Sequence, residues 1–330
     1  MQNLNKYSWG VCMRFLGLLL FGMTFLFADL VDIYRTQGID AVKEQLEKKL
    51  QEKSYWEKFL EDKNIDYGYY ESTKFLIFVD KDTKELKVYK KVDNRFSEIL
   101  KDSVIIGEKQ GDKKVEGDLK TPEGVYKLTN KLTKLDPFYG PLALVTSYPN
   151  TFDKALNKKG HGIWIHGMPL NQQREEFTKG CIALDNPNLQ NLDKTIDLEE
   201  SLLLISKDEI KKSTKEEISL ILSSIYKWKD AWKKSDIDTY LSFYSKEFKR
   251  YDGVELNSFA EYKKTIFSRK QDKTIIFSNI NIIPYPNSLN KKMYKVLMDE
   301  VYRTNSYKFD GKKELFIELK DNKIEILSEG

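Results

Sequence analysis

Cysteine and histidine are nearly absent from this chain. Its 330 residues contain two of each, and Cys12 lies in an apolar leader near the N-terminus. Cys181 is then the lone thiol of the remainder, so no internal disulfide braces the fold and packing must hold it together. Long apolar runs are also missing, apart from one from Phe15 to Phe27. That run is short of the roughly 20 residues a membrane-spanning helix needs. A dominant charge sign is lacking too. Lysine and arginine number 55 against 51 acids, interleaved as in Lys43-Glu44 and Glu57-Lys58. This reads as a solvated mixed-charge surface. No basic stripe with stacking aromatics and no nucleic-acid motif is present, so nucleic acid is not an expected partner. There is no long-period repeat and no low-complexity linker.

The leader has the form of a secretory signal. Lys6 and Arg14 precede or open the apolar run, and Ala28 offers a small residue for cleavage before Asp29. Residues 1–28 are read as a signal peptide that takes the rest of the chain out of the cytoplasm. Left uncleaved, the same segment would be a membrane anchor. The remaining residues exceed the usual single core, and two domains plus an arm are expected.

Residues 29–72 read as a helical arm. Val42, Leu46, Leu50, Trp56, Phe59 and Leu60 recur at helical spacing. Its one apolar face must be buried, either on the arm's own catalytic domain or on a second copy in a homodimer. Residues 73–210 read as β-rich. Phe75 to Val79 and Leu86 to Lys90 form a hairpin, and Val104 to Ile106, Val125 to Leu128, Leu142 to Thr146 and Ile163 to His166 continue the strands. Thr121-Pro-Glu-Gly124 fits a type I turn. Asn186-Pro187 starts a helix with the asparagine as cap, and Leu202 to Ile205 is a buried strand. Residues 211–330 carry three helices, at Ile218 to Trp232, Asp236 to Tyr244 and Phe259 to Phe267. Strands at Ile275 to Ile283, Tyr294 to Tyr302 and Lys313 to Leu319 follow. The class is α+β, ending in a cone of helices and curved antiparallel sheet.

The scarce residues cluster. His161, His166 and Cys181 lie in Gly160-His-Gly-Ile-Trp-Ile-His-Gly167 and Thr178-Lys-Gly-Cys-Ile-Ala-Leu-Asp-Asn186. A thiol near an imidazole is the pattern of a nucleophile and its base. Strand alternation turns Ile163, Ile165, Ile182 and Leu184 inward, and Trp164, His166, Cys181 and Ala183 toward a cleft. Gly167 is expected to allow a sharp turn after the histidine and its carbonyl to orient the ring. Gly180 is expected to let substrate approach the backbone. The N–H groups of Gly180 and Cys181 are the candidate oxyanion donors. A zinc site from His161, His166 and Cys181 is the competing reading. The two histidines face opposite sides of one strand and no further ligand pair is in view, so no metal or cofactor is expected. Trp228, Trp232, Tyr240 and Tyr244 are either core or the lining of a pocket in the last domain, one able to hold a glycan or peptide strand.

Ile165-His166-Gly167, then Gly180-Cys181-Ile182-Ala-Leu with Asn186 five after the cysteine, resembles the L,D-transpeptidase catalytic domain, also called YkuD-like. The hairpin, the glycine-bearing loop and Thr121-Pro-Glu-Gly-Val-Tyr126 match that family's earlier blocks in order. Ser147-Tyr-Pro-Asn150 with Asp153 is similar to its YafK-type branch. The last domain resembles the NTF2-like fold, and the combination is similar to the cell-shape L,D-carboxypeptidases of helical Gram-negative bacteria. The resemblance implies a periplasmic enzyme that removes terminal D-alanine from the meso-diaminopimelate of peptidoglycan stem peptides. Cys181 would be its nucleophile, His166 its base and the Gly167 carbonyl the orienter. Many members have histidine where this chain has Lys179, and arginine where it has Ala183. Arg174 or Lys179 would then anchor a substrate carboxylate, beside Trp164 and Thr178. Two alternatives remain open at this level: transpeptidation, including lipoprotein attachment or detachment, through the same thioester, and a non-catalytic wall-binding protein.

Overall fold

The computed structural model describes residues 29–173 and 175–330. The leader and Arg174 lie outside the described residues. Among the described residues, no helix is long and apolar enough to cross a membrane.

The arm is helical at α1 (29–37), α2 (Ile39–Leu50) and α3 (Lys53–Phe59), and then becomes the short strand β1 (Tyr69–Tyr70). The central region holds β2 (Phe75–Asp80), β3 (Glu85–Val92), β4 (Arg95–Ser103), β5 (Gly124–Leu132), β6 (Ala143–Thr146), α4 (Thr151–Ala155), β7 (Trp164–His166), β8 (Ile182–Ala183), α5 (Asn186–Thr195) and β9 (Ser201–Ser206). The last region holds α6 (Lys215–Lys234), α7 (Ile237–Leu241), α8 (Leu256–Phe267), β10 (Thr274–Pro284), β11 (Met293–Arg303), β12 (Lys308–Lys320) and β13 (Lys323–Glu329).

Two sheets result. The central one has order β4-β3-β2-β9-β5-β6-β7-β8, and the other β1-β10-β11-β12-β13. Strand β9 runs parallel to β2 and antiparallel to β5. Every residue of β9 is buried, the sign of a strand covered on both faces. Leu203 and Ile205 enter the central core with Ile77 and Val79. Leu202 and Leu204 face the other way, into a layer shared with Met293, Leu297 and Phe316 of the second sheet. That apolar layer joins the two domains.

The third core lies between the second sheet and α6, and the arm completes it. Trp56, Leu60 and Ile65 pack with Ile218, Leu222, Ile225 and Trp228. Trp56 stacks on Tyr226 at 5.6 Å, and its Nε1 donates to the Leu50 carbonyl at 2.7 Å. The arm therefore docks on the C-terminal domain, which neither alternative drawn from the sequence named.

Three local expectations change. Thr121-Pro-Glu-Gly124 forms no turn: 121–123 have no regular secondary structure and Gly124 opens β5. A Cβ on Gly124 would lie 2.7 Å from the Tyr285 hydroxyl of the second domain, so close approach selects the glycine. Asp185, not Asn186, occupies the cap position of α5, and Asn186 is the first helical residue. Val104 to Ile106 is held by an isolated bridge, Ile105 to Ala183, in place of a strand.

Candidate active site

Strands β7 and β8 pair in parallel, with Ile165 opposite Ile182 and His166 opposite Ala183. Opposed residues of parallel strands share a face, so both isoleucines enter the core and His166 falls on the other side. Cys181 immediately precedes β8, two residues from Ala183. It is thus a diagonal neighbour of His166 across the pair.

The histidine is fully buried and held on several sides. Its Nδ1 lies 2.7 Å from the Gly167 carbonyl oxygen. A carbonyl only accepts, so Nδ1 carries the proton and Nε2 is the basic nitrogen of the neutral ring. The Tyr139 ring meets the imidazole edge-on at 5.1 Å and also packs edge-on against Trp164 at 5.3 Å. The Tyr139 carbonyl accepts from Gly167 N–H at 2.9 Å.

Asn186 closes the far side. Its amide oxygen accepts from Met168 N–H at 2.8 Å, and its NH2 donates to the Met168 carbonyl at 3.2 Å. A Cβ on Gly167 would sit 2.1 Å from that amide oxygen. Gly167 is therefore required by the approach of Asn186, not by the turn expected from the sequence.

Cys181 is half-buried. Its thiol faces the Gly162 carbonyl at 3.5 Å. Thr178 and Thr121 hold the backbone around it. The Thr178 hydroxyl donates to the Cys181 carbonyl at 2.7 Å and accepts Gly180 N–H at 2.9 Å. The Thr121 hydroxyl donates to the Gly180 carbonyl at 3.0 Å and accepts Gly107 N–H at 2.9 Å.

Two expectations are corrected by these bonds. Gly180 N–H is engaged by Thr178 in this structure, which leaves the Cys181 amide as the first oxyanion candidate. Thr178 is 2 % exposed and braces the nucleophile's turn, so it does not line a substrate surface. Gly180 has φ +134° and is itself buried. A Cβ there would lie 2.7 Å from the Lys120 carbonyl, so it serves packing against the loop and not substrate approach. Lys179 and His161 are exposed at the rim, and Trp164 is half-buried beside Tyr139.

Sequence reasoning missed Tyr139, Thr121 and Lys81. The threonine was visible only within a turn motif and a family block, with no role attached to its hydroxyl. Lys81 sits in the polar hairpin turn between β2 and β3, where nothing local announces that a lysine will be 1 % exposed. The glycine-bearing loop is organised by Asp118, which bonds Lys113 Nζ at 2.7 Å and Lys114 N–H at 2.8 Å. Burial works against its charge, but the Lys113 ammonium and three backbone amides prevail and hold the carboxyl down at about 2.

The C-terminal domain has a cavity of about 560 Å³ lined in part by Trp232, Lys263, Glu300, Tyr302 and Lys313. Trp228, Tyr240 and Tyr244 are closed core, so of the four aromatics named from the sequence only Trp232 reaches it. Burial pushes the Lys263 ammonium down to about 8, partly opposed by the Glu329 carboxylate 3.9 Å away.

A β-rich core presenting a histidine on one strand and a cysteine just before the parallel strand beside it, followed by a helix-and-sheet cone, defines the class. Residues 74–203 match the L,D-transpeptidase catalytic domain (YkuD), and residues 220–330 match the Cds6 C-terminal NTF2-like domain. The helical cell shape determining protein Pgp2 from Campylobacter jejuni is 43% identical, with a TM-score of 0.79, over 85% of this chain and 99% of that one. A lysine-to-alanine mutant of the same Campylobacter protein gives 42% identity and a TM-score of 0.81, over 86% and 99%. Bd1075 from Bdellovibrio bacteriovorus gives 27% identity and a TM-score of 0.63, over 82% and 98%. No curated protein matches. The chain belongs to the L,D-transpeptidase family and pairs a YkuD catalytic domain with a C-terminal NTF2-like domain.

Proposed function

We propose that the chain is an extracytoplasmic L,D-carboxypeptidase that trims peptidoglycan tetrapeptide stems to tripeptides and so affects cell shape. The observation that carries the reading is the bond between His166 Nδ1 and the Gly167 carbonyl, which leaves Nε2 as the basic nitrogen on the face shared with Cys181.

In this reading the Cys181 thiol passes its proton to His166, and sulfur attacks the carbonyl carbon at the L-centre of meso-diaminopimelate. The Cys181 amide stabilises the oxyanion. The C–N bond to D-alanine breaks, and the imidazolium returns the proton to the leaving amine. Water, deprotonated by His166, then attacks the thioester and frees the tripeptide and the thiol. Lys179 and Arg174 are the candidates to meet the substrate carboxylate, and Trp164 forms part of the wall. The C-terminal cavity is proposed to hold a strand of the wall polymer. The exposed Val31, Tyr34, Ile39 and Leu46 of α1 and α2 are proposed to meet a second copy of the arm.

Incubation with purified muropeptides tests the activity. The unmodified protein should convert tetrapeptides to tripeptides and release D-alanine, and Cys181→Ala should do neither. Unchanged tetrapeptides, or trimming that survives the substitution, would reject the reading. Exchange products on adding a D-amino acid would move the assignment to transpeptidation.

A further inference from the structure

Several buried charges surround the catalytic strands without entering the chemistry above, and one of them reaches the nucleophile's backbone. Lys81 Nζ lies 2.7 Å from the Gly111 carbonyl, 3.0 Å from the Thr121 carbonyl and 2.9 Å from Glu123 Oε1. An ammonium has three protons, and here each has an acceptor. Gly111 lies within the glycine-bearing loop (residues 107–120) and Thr121 directly follows it, so one side chain clamps the loop's 111–121 stretch. Thr121 in turn holds the Gly180 carbonyl, immediately before Cys181.

We propose that Lys81 is a positioning residue for Cys181, acting through Thr121 and the Gly180 carbonyl. This rests on the reading of Cys181 as the nucleophile. Glycine is the residue least able to fix its own backbone, so the peptide before the thiol needs an outside brace. The two threonines grip the peptide units on both sides of Cys181, and Lys81 fixes the one that comes from the loop.

Stability is a weak explanation for the lysine. Removing an ion pair from water offsets much of its attraction, and apolar residues of similar size often stabilise as well. Geometry is what an apolar replacement would lose. The brace also extends toward the second domain. Glu123 N–H donates to Asp112 at 2.9 Å, Asp112 pairs with Lys158 at 2.7 Å, and Lys158 pairs with Asp153 at 2.8 Å. Asn150, which caps α4 through Asp153 N–H, donates to the Tyr285 hydroxyl at 3.0 Å.

The test uses the full chain and iodoacetamide, with alkylation mapped to Cys181. Lys81→Met alone strands the Glu123 carboxylate and can block folding. The double variant Lys81→Met/Glu123→Leu removes both charges. It should melt near the parent while its Cys181 alkylates about tenfold or more slowly, since small misplacements near a reacting atom carry penalties up to about a hundredfold. Thr121→Val, which deletes only the hydroxyl at near-constant volume, should slow alkylation likewise, and Thr121→Ser should restore it. Alkylation within twofold of the parent in the folded double variant, or in Thr121→Val, overturns the inference. Muropeptide trimming by the parent is read separately. A parent that alkylates but does not trim removes the proposed function and leaves the positioning role standing.

Discussion

Gly167 shows how narrowly the histidine is set. Any side chain there collides with the Asn186 amide oxygen, which belongs to a side chain that satisfies both polar groups of the Met168 backbone. Gly167→Ala should lower stability by about 1–3 kcal/mol and reduce turnover by about a hundredfold, measured by urea unfolding and muropeptide kinetics. Parent-like turnover would show that the histidine does not depend on this contact. Lys263 gives a second residue-scale test. Because burial holds its ammonium near 8, much of it is the neutral amine at pH 8 while exposed lysines remain charged. In mapped acylation with an N-hydroxysuccinimide ester, the Lys263 rate should rise and level off as pH passes through about 8, while exposed lysines keep accelerating to higher pH. A Lys263 profile that keeps rising in step with the exposed lysines would contradict its depressed proton affinity. His166 and Cys181 were legible because they are rare and neighbour one another in sequence. The roles of Gly180 and Thr178 were not. The Thr178 hydroxyl that engages the Gly180 amide could as well have faced solvent, and the Gly180 carbonyl beside it is held by Thr121, far away in the chain.

Among elements, the glycine-bearing loop is the one the site leans on, and Asp118 organises it. Its carboxyl is held at about 2, below its ordinary 3.8. The folded state therefore favours the charged form. Its contribution is full above the ordinary value and disappears as pH falls through about 2. Asp118→Asn should lower stability by about 1 kcal/mol at neutral pH, and the gap between variant and parent should close in acid. A gap that persists unchanged at the acid end would contradict this account. Most elements could be read from periodicity, including β2, β3, β9, α6 and α8. Strand β4 could not, because it is an edge strand with only Leu100 buried and its other faces solvated. Strand β13 was missed for a different reason: five of its seven residues are buried, but two of those are the polar Ser328 and Glu329, which break the apolar alternation. The Thr121-Pro-Glu-Gly124 motif was misread because the tyrosine that selects its glycine, Tyr285, lies in the other domain.

At the scale of the whole molecule, the arm and the C-terminal domain share one core, and an apolar layer joins that domain to the catalytic sheet. The sequence showed an amphipathic arm but not its partner, since an apolar helical face is complementary to any other. Trp56→Ala should cost about 3–5 kcal/mol and lower the melting of the C-terminal domain, while Cys181 alkylation in the folded protein stays at the parent rate. A loss below about 1 kcal/mol would place the arm outside that core. The proposed reaction passes through one sulfur atom, and trapping the acyl-enzyme tests that most directly. Acid quenching during turnover of a tetrapeptide substrate, followed by peptide mapping, should find the stem peptide without its last D-alanine attached to Cys181, and no adduct in Cys181→Ala. Tripeptide formed by a protein whose Cys181 never carries that mass would contradict the account.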